Sequence, residues 1–360
     1  MDQGYLILET GEVFEGKIIG NIQDCIGEVV FNTSMTGYQE MMTDPSYSGQ
    51  ILTFCYPLIG NYGINLSDDE SKKVSVAGVI IGDACEKPSH YLATKSLSIQ
   101  LQEAGISGLT GVDTRSLVQS IRKSGTVKGV ITTVPSYNKT TLAEYESPFW
   151  VEKVSTKEAV TYNNNGPHVV LIDFGYKKSI LDALLQENCK VTVVPYHFTY
   201  NQVKSLHPDG VLLSNGPGDP MELQGQFEEI KKVTQNYPTL GICLGHQLVA
   251  LSYGAITEKL TYGHRGGNHA VKELLTGKVR MTSQNHSYVV MEESINYEEL
   301  IITYRNVNDK TVEGIKHRKY PVTSVQFHPE AHPGPSDTAH IFTEFLQQIS
   351  SLGAVNYAIK

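Results

Sequence analysis

Apolar and polar positions change rhythm partway along the chain, and the two rhythms predict two kinds of structure. In the first 150 residues the apolar runs are short and broken by turn residues. YLILETGEVFEG reads as a hairpin turning at Thr10-Gly11, and GEVVFNTS as a further strand. Ser89 is placed to cap a helix through LATKSLSIQLQEAG, with Leu97, Leu101 and Ala104 on one face and Gly105 as its stop. Asp113 is placed to cap a second helix, which carries Leu117, Val118 and Ile121 and ends near Gly125. The stretch MTGYQEMMTDPSYSGQ is too polar for a core, yet too rich in specific side chains to be only a spacer. Together these elements predict an α+β domain over residues 1–150.

After Trp150 the texture changes. Residues 151–166 read as a linker, with Tyr162-Asn163-Asn164-Asn165-Gly166-Pro167 as its most breaker-rich part. From 167 to 350, continuous apolar runs (HVVLIDF, KVTVVP, GVLLS, TLGIC) alternate with helical patterns such as the one carrying Ile180, Leu181, Leu184 and Leu185. Uninterrupted apolar strands separated by helices predict an α/β domain with an open, mostly parallel sheet covered on both faces. Sites in such sheets lie at the carboxyl ends of the strands.

Composition narrows the class without choosing a function. The 360 residues suffice for two domains with their own cores. A net charge of -9 and a pI near 5.7 exclude a generic nucleic-acid binder, which carries a basic face. Five cysteines (25, 55, 85, 189 and 243) lie scattered without a CxxC pair, the pattern of reduced thiols in a cytoplasmic protein. The first residues, MDQGYLILETGEVF, lack the basic start and long apolar core of a signal peptide. No run reaches the length that spans a bilayer, so a membrane role is not expected.

The candidate chemistry sits at three strand ends. In GICLGHQ, Cys243 stands where a strand gives way to a helix, between Gly241 and Gly245. A nucleophile on a strand–turn–helix elbow needs small neighbours, and a helix N-terminus favours the thiolate. A lone buried cysteine is more often structural, so other segments must decide. LLSNGPGDP follows another apolar strand and lacks the Lys-Ser/Thr of a phosphate loop. Its glycines leave the amide of Gly216 or Gly218 open to form an oxyanion hole with that of Leu244, although a plain Gly-Pro turn is an equal reading. VTSVQFHPE reads as a strand ending in His328, with Glu330 two residues on and pointing the same way. A base beside the thiol, oriented by a carboxylate, is what a cysteine nucleophile requires.

GICLGHQ, SNGPGDP and FHPE together resemble the triad-type, class I glutamine amidotransferase domain, over about residues 167–350. FNTSMTGYQEMMTDPSYSGQI, YPLIGNYGIN and GVDTR resemble the N-terminal domain of the small, glutaminase chain of carbamoyl-phosphate synthase, as do YGHRGGNH and TSQNHSYVV further on. The resemblance implies hydrolysis of L-glutamine to glutamate and ammonia by Cys243, His328 and Glu330, with the Gly216 and Leu244 amides receiving the oxyanion. It places glutamine contacts on Gln247, Asn285, Ser287, Tyr288, Gly218 and Ser46. Ser46 would bring the site to the domain junction, where the alternative is a turn serine in DPSYSG. Here Ser287 and Tyr288 stand where the family pattern has Gly and Phe. Main-chain contacts survive that change, whereas the Ser287 side chain would narrow or reshape the pocket.

The resemblance further implies a large synthetase subunit that takes the ammonia and makes carbamoyl phosphate from bicarbonate, with ATP and Mg on that partner. No cofactor is expected on this chain, which has no nucleotide-binding signature. A metal is not expected either. His264 with His269, and His328 with His332, lack ligand spacing and an accompanying carboxylate and cysteine shell. His246 has no assigned role. Two other readings compete: a solitary hydrolase of the same sheet type, and a catalytically idle scaffold. The first-half motifs weigh against one, and retention of Cys243, His328 and Glu330 against the other.

Overall fold

The computed structural model describes residues 2–358, which divide into two compact units, Met1–Trp150 and Val151–Lys360. In the first unit seven strands close into a barrel, in the order Gln3–Leu8, Val13–Gly20, Ser107–Thr110, Gly78–Ile80, Gln50–Phe54, Cys25–Asn32 and Val127–Thr132. The expected hairpin forms: Ile7 pairs with Val13, and Gly11 turns the chain at φ 96°. Asp113 caps the helix Thr114–Ser124 as expected, accepting from the Ser116 amide, and Gly125 ends it.

Two expectations for this unit need correction. Ser89 does not cap a helix. The helix is Leu97–Ala104, and Ser96 caps it by accepting from the Ile99 amide. Residues 94 and 95 instead pair with Ile64 through Thr94 N to Ile64 O and Ile64 N to Lys95 O, which withdraws their backbone from any helix. The stretch from Met35 to Gln50 is likewise not excluded from the core. It forms the helix Tyr38–Thr43 and the 3-10 turn Pro45–Tyr47, and Tyr38, Met41, Met42 and Tyr47 are buried. Its polar members are satisfied internally: the Gln39 amide donates to Asn65 O at 2.8 Å and to Asp69 at 2.7 Å, and accepts from Asn65 N. Hydrogen bonding of this kind is what permits a buried glutamine.

The second unit is built on a ten-stranded sheet. Its parallel part runs Lys190–Pro195, His168–Asp173, Gly210–Leu213, Thr239–Ile242 and Val322–Val325. Beyond Val322–Val325 the sheet continues antiparallel, through Val312–His317, Val279–Val290, Thr257–Glu273 and Leu300–Asn306. Five strands are thus mutually parallel, fewer pairings than the expected mostly parallel sheet implies. The cause is the segment from 257 to 317, whose long strands are rich in polar residues, several of them buried, and lack the continuous apolar signature of the parallel part. Residues 151–166 are more than a linker. They hold the rest of the helix Trp150–Val154 and the strand Val160–Tyr162, which pairs antiparallel with Lys190–Pro195 at the sheet edge. No helix among the described residues is long and apolar enough to cross a membrane.

Candidate active site

The Cys243 elbow follows from its neighbours. Strand Thr239–Ile242 ends at Cys243, and helix Leu244–Ser252 starts immediately after it. Cys243 itself adopts φ 54°, ψ −103°, a backbone that L-residues rarely take and that surrounding structure must enforce. Close packing does so: a Cβ at Gly245 would lie 2.2 Å from Leu213 O, and one at Gly241 would lie 2.8 Å from Gly245 O. The Cys243 amide is tied to Val325 O at 2.9 Å and the Gly245 amide to Ser214 O at 3.0 Å. These bonds join the elbow to the strands on either side. Among the described residues, the Leu244 and Gly216 amides donate to no protein acceptor. Gly216 is fixed as glycine, because a Cβ there would lie 2.3 Å from Phe174 O.

His328 reaches the site by a route the sequence pattern does not show. The strand stops at Val325. Gln326 N then donates to Glu313 O and His328 N to Ser283 O, so the chain crosses onto the antiparallel part of the sheet. A turn follows, closed by Ala331 N to His328 O at 3.1 Å. Glu330 therefore meets His328 through a turn, in place of the strand alternation expected. His328 Nδ1 lies 2.6 Å from Glu330 Oε1, both groups fully buried. Burial opposes charging His328, but the Glu330 carboxylate and then the neighbouring Cys243 outweigh it and raise its pKa to about 10. Burial alone would raise the pKa of Glu330, yet Lys177 and His328 pull it down to about 2.

Lys177 was not legible as a site residue. Its ammonium lies 3.2 Å from Glu330 Oε1 and donates to Ala331 O, with only 3% of its side chain exposed. The available signal is its position at the start of a helix just beyond HVVLIDF, at the carboxyl end of the same sheet.

The remaining predicted residues fall as follows. Gln247, on the helix behind Cys243, donates to Tyr288 O at 2.9 Å and to Gln326 Oε1 at 3.1 Å. Asn285 O lies 3.6 Å from Cys243 Sγ and accepts from it. Gly218 takes φ 92° in the loop before Asp219, whose carboxylate caps the next turn. The two departures from the family pattern make contacts of their own. The Tyr288 hydroxyl donates to Asp219 at 3.1 Å, and Ser287 Oγ accepts from Arg265 at 2.5 Å. Ser287 is thus held toward Arg265. Ser46 belongs to the first unit, where it is buried in the 3-10 turn and its amide donates to Asp44.

The cluster around His264 does have an accompanying carboxylate, contrary to expectation, and its second imidazole is that of His286 in place of His269. His264, His286 and Glu313 bring one ligand-type atom each within 4.8 Å of one another. Hydrogen bonds engage all three: Glu313 accepts from Gln284 and Asn306, His286 meets Gln284 and Tyr288 O, and His264 meets Asp309 at 2.7 Å. Burial disfavours charge on His264, but Asp309 and Glu313 prevail and raise its pKa to about 9. His246 is fully buried, with Nδ1 against Ser324 Oγ at 2.9 Å.

The site is thus a buried thiol on a strained elbow with a carboxylate-paired imidazole beside it, and comparison with known proteins shows the family. Residues 170–348 match the class-I glutamine amidotransferase family. Residues 6–131 match the carbamoyl-phosphate synthase small chain, CPSase domain. The arginine-specific small chain of carbamoyl phosphate synthase from Halalkalibacterium halodurans is 49% identical, over 98% of this chain and 98% of its own. Its counterpart from Bacillus subtilis is 51% identical over 96% and 97%, and the small chain from Listeria monocytogenes 48% over 97% and 98%. The chain belongs to the carbamoyl-phosphate synthase small-chain family, as the enzyme's glutamine amidotransferase component.

Proposed function

We propose that this chain hydrolyses L-glutamine through Cys243, His328 and Glu330 and passes the ammonia to a large synthetase subunit. The observation that carries the reading is the elbow: a cysteine held at φ 54° by glycines that tolerate no Cβ, beside an imidazole paired with a buried carboxylate. In this reading the Cys243 thiolate attacks the side-chain carbonyl carbon, and its charge moves to the carbonyl oxygen. The Leu244 and Gly216 amides, which donate to no acceptor among the described residues, receive that oxyanion. His328, held protonated by a pKa near 10, gives its Nε2 proton to the nitrogen as the C–N bond breaks and ammonia leaves. The resulting thioester is hydrolysed by water that returns a proton to His328, releasing glutamate and the thiolate.

Glutamine's α-groups fall to Gln247, Gly218 and the Asn285–Tyr288 segment. With its amide nitrogen engaged, the Gln247 carbonyl oxygen is left to accept from the α-ammonium. The partner would phosphorylate bicarbonate and bind ATP and Mg, leaving this chain without a cofactor of its own. Its product, carbamoyl phosphate, would serve arginine or pyrimidine synthesis in the cytoplasm. Two of the three relatives described above carry arginine-specific names.

The deciding experiment measures ammonia release from glutamine by the purified chain, with and without a large synthetase chain, for wild type and Cys243→Ser. Release by wild type that is stimulated by the partner and lost in the variant supports the reading. Inert wild type in both conditions refutes it and leaves a scaffold.

A further inference from the structure

Gln326 is fully buried and donates its side-chain amide to Cys243 Sγ at 3.7 Å. Which end of an amide faces which neighbour is normally inferred from the surrounding hydrogen bonds. Here those bonds decide it. Tyr288 O is an acceptor only, so the Gln247 group facing it at 2.9 Å is its NH2. The same NH2 lies 3.1 Å from Gln326, which must therefore present its oxygen to Gln247. The Gln326 NH2 is thereby turned toward the sulfur and has no alternative orientation. Gln326 N, bonded to Glu313 O, anchors the backbone beneath it.

The sulfur thus has two polar contacts of opposite sense besides His328. Asn285 O accepts, and so suits the S–H form. The Gln326 NH2 donates, and keeps its bond when the proton leaves. A donor aimed at an anion is stronger than a neutral one. Resting on the glutaminase reading above, we infer that Gln326 is a further catalytic residue: it stabilises the Cys243 thiolate before attack and as it is regenerated from the thioester, with Gln247 and Tyr288 O fixing its orientation.

The test compares wild type, Gln326→Leu and Gln326→Glu in the full-length chain, with Cys243→Ser as the background. Two quantities are read: alkylation of Cys243 by iodoacetamide near neutral pH, followed on the Cys243 peptide by mass spectrometry, and kcat and KM for glutamine. Removal of a hydrogen bond to a charged group is expected to slow alkylation and kcat by roughly 10- to 100-fold, with KM changed less than about threefold. The order of the variants separates donation from packing. Glutamate has nearly the shape of glutamine and can still accept from Gln247, so a merely structural role would leave Gln326→Glu closer to wild type than Gln326→Leu. A donor role puts a carboxylate against the thiolate and makes Gln326→Glu at least as slow as Gln326→Leu. Alkylation is scored on folded chain recovered by size exclusion, so a destabilised variant still reports. Equal alkylation rates in the three chains, or a faster Gln326→Glu than Gln326→Leu, would overturn the role of Gln326. Inert wild type with slowed alkylation in both variants would overturn the glutaminase reading and leave the thiolate role standing.

Discussion

Lys177 and His328 share one carboxylate oxygen: Glu330 Oε1 is 3.2 Å from the ammonium and 2.6 Å from the imidazole Nδ1, all three side chains buried. Two cations on one buried anion is a costly arrangement unless every partner stays in place. That dependence makes its loss measurable.

Lys177→Met is expected to destabilise the chain by about 3 kcal/mol, because it leaves the Glu330 carboxylate with less countercharge in a desolvated site. Lower ammonia release should accompany it, since His328 then loses a well-held partner. Urea unfolding of the two chains reads the first effect. An unchanged midpoint would mean that the ammonium contributes nothing to Glu330.

The pH dependence of stability has a defined sign on each side. Glu330 falls from its ordinary 4.5 to about 2 on folding, so its contribution is present above about 4.5 and lost as pH falls toward 2. His328 rises from 6.5 to about 10, so its contribution is present below about 6.5 and lost as pH rises toward 10. Stability from this pair is therefore greatest between about 4.5 and 6.5. Glu330→Gln should flatten both flanks of the stability profile measured by denaturant unfolding. His264, raised to about 9, adds an alkaline slope that persists in the variant.

Gly245→Ala should cost about 2–3 kcal/mol, because its methyl meets the Leu213 carbonyl at 2.2 Å and backbone must shift to admit it. Thermal unfolding measures this cost. Its activity should fall by more than stability explains, as the elbow moves Cys243.

Tyr288→Phe removes the hydroxyl that ties the strand Val279–Val290 to Asp219 and leaves the Tyr288 carbonyl bonds intact. Steady-state kinetics should show kcat within twofold and KM for glutamine raised by roughly two- to fivefold, in line with the loss of one neutral-to-charged hydrogen bond at the site rim. A lower kcat at unchanged KM would instead place the hydroxyl in the chemistry.

What the sequence discloses follows from how local each feature is. Cys243 is legible because strand, small residues and helix occupy one short stretch, and FHPE because base and carboxylate lie within three residues. Lys177 and Gln326 are not, since each acts on a residue more than 80 positions away that only the sheet brings near. Ser89 and Ser96 both precede apolar residues, and the choice between them rests on the pairing of Thr94 and Lys95 with Ile64. The antiparallel part of the sheet is not legible because its strands, rich in polar residues even where buried, resemble loop sequence.

The strand Val322–Val325 is parallel to one neighbour and antiparallel to the other. Parallel ladders carry slanted hydrogen bonds and antiparallel ladders perpendicular ones. This strand therefore cannot slide along either neighbour without breaking register with the other. Cys243 is tied to its last residue by the Val325 carbonyl, and His328 follows three residues on. The strand works as a keyed joint: the interval between sulfur and imidazole is set by covalent spacing, by a locked register and by the tie of His328 N to Ser283 O on the antiparallel side.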